Sequence, residues 1–180
     1  RNGYRLPTEA EWEFAARGGN GTHGYEYSGS NTVGDVAWYL NNADNTTHPV
    51  GSKSANELGL YDMSGNVREW CHDWYGGYPD TDRTDYTGPS TGTERVTRGG
   101  DWNSNYECSV TSRSTGTPDY NYSNDHWRSI GFRVVRSAGV EVPMTGVSLS
   151  PSSKIVVPGE TVQLTAAVFP FDAGNVSLSW

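Results

Sequence analysis

The segment Tyr61-Asp62-Met63-Ser64-Gly65-Asn66-Val67-Arg68-Glu69-Trp70 constrains the fold of this chain more than any other. Its Gly-Asn pair turns tightly, because glycine and asparagine accept the left-handed backbone that such a turn needs. Two carboxylates, Asp62 and Glu69, flank the turn, so its backbone carbonyls can converge with them on a hard cation. Tyr61 and Trp70 bracket the segment and can anchor it in a core.

Composition fits a fold built from such turns. Only 34% of the 180 residues are strongly hydrophobic, yet there are 7 Trp and 11 Tyr, so aromatic side chains must fill much of the core. The 22 glycines, with frequent Asn, Ser, Thr and Asp, favour irregular loops over long helices. The aromatic content also speaks against disorder. A net charge of −8 with no Lys/Arg cluster excludes a phosphate-tracking binder of nucleic acid. That acidity serves either solubility or cation binding. No apolar run approaches the roughly 20 residues that span a bilayer, so no membrane insertion is expected in this segment. No CxxC or Cys/His zinc spacing occurs, and the four histidines are scattered. The chain begins without Met and stops at Trp180 within a strand-like pattern, which reads as an excerpt of a longer protein.

One helix is legible. Thr8-Glu9-Ala10-Glu11 is a capping box behind Pro7, and Trp12, Ala15 and Ala16 fall on one face. Gly18-Gly19 stops it after about ten residues. Val36–Leu40 reads as either a strand or a helical turn. Alternating apolar and polar residues predict strands at Arg95–Arg98, Ser109–Arg113 and Phe132–Val135, with a long surface loop over Ser114–Ser129. Composition shifts at Ser137–Pro143. Beyond it, Val147, Leu149, Ile155, Val157, Val162, Leu164 and Val168 alternate with polar residues, the pattern of a β-sandwich cut off partway.

Four motifs then occur in order: Tyr4 to Arg17 (YRLPTEAEWEFAAR), Leu58 to Trp70 (LGLYDMSGNVREW), Arg98-Gly99-Gly100-Asp101-Trp102, and Ile130-Gly131-Phe132-Arg133. Across residues 1 to about 136 the chain resembles the formylglycine-generating enzyme (sulfatase-modifying factor) family, without the portion that precedes the Arg-Leu-Pro-Thr motif. From about residue 144 it resembles the first half of a bacterial group 2 immunoglobulin-like repeat. The resemblance implies an α+β, C-type-lectin-like fold rich in irregular loops over 1–136, a linker over 137–143, and a truncated all-β immunoglobulin-like segment over 144–180. It further implies a calcium site, with carboxylates from Asp62 and Glu69 and main-chain carbonyls from Gly65 and Val67. The alternative is that both carboxylates only bond backbone amides.

Family enzymes oxidise a sulfatase cysteine with oxygen, using copper(I) held between two cysteines after the Arg-Gly-Gly motif. Here the first of those positions falls on Ser104, and the second corresponds to Cys108 across a one-residue deletion. A hydroxyl and a thiol do not make the soft bis-thiolate pair that Cu(I) prefers, so copper is not expected and Cys108 is catalytic only if the site is active. In a chain that looks exported, Cys71 and Cys108 are instead expected to pair as a disulfide closing roughly forty residues, which stabilises by ~3–4 kcal/mol. The alternative is two buried free thiols.

Two functional readings follow from the resemblance. In the first, the domain is an exported, catalytically degenerate, calcium-stabilised binding or surface module on a bacterial cell, or a bead among immunoglobulin-like repeats. Trp102, Tyr106, Tyr120, Tyr122 and Trp127 would then contact a protein, peptide or glycan, as Tyr and Trp do in antibody paratopes. Some relatives of the fold diversify this stretch through retroelements, an arrangement against which the immunoglobulin-like tail argues. In the second, the chain is a copper-dependent oxidoreductase forming formylglycine. An iron-dependent sulfoxide synthase is disfavoured, because the chain has no set of three metal-binding histidines.

Overall fold

The computed structural model describes residues 3–118 and 129–136 in full, and the main chain of 146–150 and 165–169. The chain divides into two compact units, Gly3–Arg136 and Ser137–Trp180.

In the first unit the capping box forms as the sequence predicts. Strand β1 (Tyr4–Arg5) leads through Pro7 into helix α1 (Glu9–Ala16). The Glu11 amide donates to Thr8 Oγ1 at 3.2 Å, and the Thr8 amide donates to Glu11 Oε2 at 2.8 Å. Gly18, at φ +86°, ends the helix as a left-handed residue. The helix places Trp12 and Ala16 against the sheet, where they form a core with Met63, Cys71, Val96 and Val110.

That sheet has four strands in the order β4 (Arg113–Gly116), β3 (Arg95–Arg98), β2 (Arg68–Trp74), β5 (Ile130–Gly131). The β2–β5 pair is parallel and the other pairs are antiparallel. A second, two-stranded sheet joins β1 to β6 (Val135–Arg136), so both ends of the unit meet. Val33–Val36 forms a single helical turn, α2, but the stretch expected as strand or helical turn at Val36–Leu40 is neither: past Val36 the chain leaves the helix at an extended Ala37 and runs as a loop.

Two strand positions need correction. The strand expected at Ser109–Arg113 lies at Arg113–Gly116, because Val110 is buried from a loop rather than from an alternating strand. The strand expected at Phe132–Val135 is two short pieces on either side of a break, and Phe132 is 67% exposed.

Charge is buried beneath α1. The Arg98 side chain has no exposed surface; it contacts Glu13 and lies 3.4 Å from Glu9. Arg113 grips Glu9 through Nε at 2.6 Å and Nη2 at 2.7 Å. A buried arginine costs much in desolvation, which such paired, hydrogen-bonded carboxylates offset.

In the second unit, β7 (Gly146–Ser150) pairs antiparallel with β8 (Thr165–Phe169). Val147 stands opposite Val168 and Leu149 opposite Ala166. Among the described residues no helix is long and apolar enough to cross a membrane.

Candidate functional site

The Arg-Gly-Gly turn builds the site. Gly99 and Gly100 have φ of +92° and +67°. A Cβ on Gly100 would lie 2.8 Å from the Glu107 carbonyl carbon and oxygen, so only glycine lets the loop return at Glu107–Cys108. The Gly99 carbonyl accepts from the Gly65 amide at 2.8 Å, which ties this turn to the Gly65–Asn66 turn. Asn66 extends the tie: its amide donates to the Trp38 carbonyl, and its carbonyl accepts from the Trp102 amide.

Within the loop, Ser104 is held on three sides. Its Oγ accepts from the Asp101 amide at 3.0 Å, and lies 2.8 Å from Asp101 Oδ1 and 3.2 Å from Glu107 Oε2. Asp101 also accepts from the Ser129 hydroxyl at 2.8 Å and lies 3.3 Å from Arg68 Nε, while the same guanidinium contacts Glu107. This network leaves Asn103, Asn105 and Tyr106 on the surface, Tyr106 at 86% exposure, with Trp102 half-buried. Tyr120, Tyr122 and Trp127 lie outside the described residues.

The residues do not fit a bis-thiolate copper site. Ser104 is 4% exposed and bonded within its own loop, so its oxygen is committed. Cys108 is 1% exposed. Burial, helped by the carboxylates of Asp101 and Glu107, pushes its thiol up to about 12 against the pull of Arg68. A thiol held protonated in this way is a poor nucleophile at neutral pH.

The expected disulfide is also not formed: Cys71 and Cys108 are both buried free thiols. Cys71 points into the core below α1, where burial and then Glu9 raise its pKa far above the usual range. Cys108 instead sits beside Asp101, Glu107, Arg68 and Gly65. The two thiols belong to different neighbourhoods.

Of the four residues expected to hold calcium, three line one cavity of about 360 Å³: Asp62, Val67 and Glu69. Gly65 lies on the adjoining turn, where a Cβ would come within 2.3 Å of the Trp38 carbonyl oxygen. Asp62 (φ +56°) and Asn66 (φ +65°) share the left-handed backbone of that turn. In type, these carboxylate and main-chain oxygens fit a hard cation. Glu69 already has partners, however. Arg133 meets it with Nε at 2.5 Å and Nη2 at 2.6 Å, and the Trp12 indole donates to it at 2.7 Å. Asp62 Oδ2 accepts from the Gly51 amide at 2.7 Å. Among the described residues no three His, Cys, Asp or Glu side chains cluster to hold a metal by themselves.

Sequence reading missed Arg68, Asp101, Glu107 and Arg133 as the residues that satisfy the site. Their signal was faint: Arg68 and Arg133 lie in motifs but find their partners far along the chain, while Asp101 and Glu107 reach Ser104 from three residues away only because the loop folds back on itself.

Comparison with known proteins agrees with this architecture. Residues 1–138 match the family described as sulfatase-modifying factor enzyme 1-like domain. The chain is 43% identical over 153 residues to a protein named chaperone protein LppX from Paenibacillus barcinonensis, covering 76% of this chain and 50% of that one. It is 39% identical over 155 residues to the formylglycine-generating enzyme of Streptomyces coelicolor, covering 76% and 48%. Among solved structures, Treponema denticola variable protein 1 superposes with a TM-score of 0.65 at 43% identity, over 74% of this chain and 47% of that one. The chain thus spans about half the length of each of these three relatives.

Proposed function

Since this chain belongs to the FGE-sulfatase (sulfatase-modifying factor) family, we propose that it is a catalytically degenerate member working as an exported binding or surface module. One observation carries the reading. At the position where a copper-binding thiol is expected, Ser104 is buried and hydrogen-bonded to Asp101, and the loop it braces holds Tyr106 in solvent. A ligand would meet Trp102, Asn103, Asn105 and Tyr106, rigid aromatic area beside adaptable amides. The names of two relatives, a chaperone and a variable protein, fit binding better than oxidation. Export to a bacterial cell surface belongs to the same proposal, as does an immunoglobulin-like character for the second unit.

Calcium is the proposed brace of the scaffold. Asp62 and the carbonyls of Gly65 and Val67 would hold the ion, with Glu69 shared between it and Arg133. The ion would supply charge to a turn whose backbone is left-handed at three positions, Asp62, Gly65 and Asn66. Saturating calcium should raise the melting temperature of the wild type and much less that of Asp62→Asn; equal gains would remove the site.

Anaerobic titration with Cu(I), followed by an oxygen-dependent assay on a Cys-X-Pro-X-Arg sulfatase peptide, tests the functional reading. We expect neither tight copper binding nor turnover. Tight binding with formylglycine product would make the chain a copper-dependent oxidoreductase instead.

A further inference from the structure

A separate cavity of about 480 Å³ opens between α1 and the loop of residues 76–92. Glycines let this loop fold on itself and lie against β2. Gly88 sits at φ +79°, and a Cβ there would lie 3.0 Å from the Asp73 Cβ; one on Gly76 would meet Pro89 at 2.6 Å, and one on Gly92 would meet Trp74 at 2.8 Å. The loop thereby closes over Asp73, which is only 2% exposed and lines the cavity.

Three carboxylates line this cavity, and two are already matched. Glu9 is gripped by Arg113 and Glu13 is paired with Arg17 and Arg98. Asp73 is different. Its Oδ2 accepts the Glu9 amide at 2.9 Å, and among the described residues no basic side chain bonds it. Three aromatic rings form much of the wall: Phe14 is 55% exposed, Tyr78 is 57% exposed and Tyr86 is half-buried, while Arg17, the one cation among the described lining residues, is paired with Glu13. One face of Tyr78 already carries a guanidinium, that of Arg113 at 4.1 Å from the ring centroid.

We propose that this cavity receives a basic side chain, lysine or arginine, from a peptide partner, with Asp73 as counter-ion and Phe14, Tyr78 and Tyr86 as walls. A buried carboxylate and aromatic faces together recognise an organic cation, which neither does as well alone. Desolvation holds the Asp73 carboxyl above its ordinary range, so an incoming cation would relieve an existing cost. The occupant is a peptide rather than a free amine because the cavity does not end there. It shares Ala10, Phe14 and Tyr86 with a neighbouring cavity of about 610 Å³, and the two run together along α1. That length accommodates backbone on either side of one basic side chain. This site uses no residue of the 101–107 loop and stands independently of the proposed binding face.

The test uses the full chain and three probes: a capped Ala-Arg-Ala tripeptide, the same peptide with citrulline for arginine, and agmatine. NMR should show saturable shifts of the Phe14, Tyr78 and Tyr86 ring signals with the arginine peptide, and at least about tenfold weaker binding of the citrulline peptide. Asp73→Asn should abolish that preference yet stay folded, since an amide oxygen can still accept from Glu9; circular dichroism checks this. Tyr86→Ala should weaken the arginine peptide as a second, surface-located variant. Equal binding of arginine and citrulline peptides, or an unchanged preference in Asp73→Asn, would overturn the cation site. Agmatine binding as tightly as the tripeptide would overturn the peptide as its occupant.

Discussion

Cys71 and Cys108 are equally buried, yet they occupy opposite kinds of interior. Around Cys71, below α1, order comes from the close packing of Trp12, Met63, Val96 and Val110, with an ionic cluster of Glu9, Glu13, Arg98 and Arg113 at its border. Around Cys108, order comes from directional hydrogen bonds among Ser64, Asp101, Ser104, Glu107 and Arg68. The first kind of interior tolerates changes of shape that conserve volume but not an orphaned charge. The second tolerates little change of polarity, because each removed group leaves its partner unsatisfied. A binding loop gains from the second kind: fixed bonds set its conformation without drawing its aromatic side chains inward.

The largest effect should come from breaking the ionic border. Arg98→Ala removes a fully buried guanidinium that bonds Glu13 and lies beside Glu9, leaving Arg17 and Arg113 as their remaining partners, and should cost about 3–4 kcal/mol in urea unfolding. A loss below ~1 kcal/mol would mean that packing alone holds the helix. Gly100→Ala probes the other interior: a Cβ in a left-handed position against the Glu107 carbonyl should cost about 2–3 kcal/mol. Its structural signature should be confined to residues 101–108, as read by hydrogen exchange. Ser104→Ala should follow at about 1–2 kcal/mol, because the Asp101 amide loses its acceptor. If Ser104→Ala is neutral, the loop is not braced by this hydroxyl and the contrast between the two interiors weakens.

The smallest effect lies at the helix cap and depends on pH. Arg5, and then the Thr8 amide, hold the Glu11 carboxyl down at about 2, against an ordinary value of 4.5. A depressed folded-state pKa contributes stability that is fully present above about 4.5 and lost as pH falls through about 2. Glu11 is 43% exposed, so solvent screening keeps the contribution below ~1 kcal/mol. Glu11→Gln should therefore lower the melting temperature slightly at pH 7, with the difference vanishing near pH 2. A difference that persists at pH 2 would assign the effect to lost packing rather than to charge.

Helix α1 was legible because its signal is local. Thr8 and Glu11 bond across three residues, and the stop at Gly18 needs only its own backbone freedom. Strand β3 was legible for a similar reason, as a short alternating run bounded by Gly99. The strand expected at Ser109–Arg113 was misplaced because Val110 supplied an apolar signal that belongs to a loop tucked under the core. At the site, the sequence marked Asp62, Glu69, Ser104 and Cys108 as chemically notable. It did not show that Arg133 had taken Glu69 or that Asp101 had taken Ser104.

The sequence by itself determined the motif order, the capped helix, the tight Gly65–Asn66 turn and the substitution of a hydroxyl for a thiol at residue 104. Only the tertiary structure decided which charges are neutralised and that the two thiols stay apart. Glu9 bonds Asp73 across 64 residues, Arg98 reaches Glu13 across 85, and Arg113 reaches Glu9 across 104. Backbone preference acts over a few residues and is written in adjacent letters. A buried charge is satisfied by whichever partner the fold brings within about 3 Å, and no local pattern names that partner.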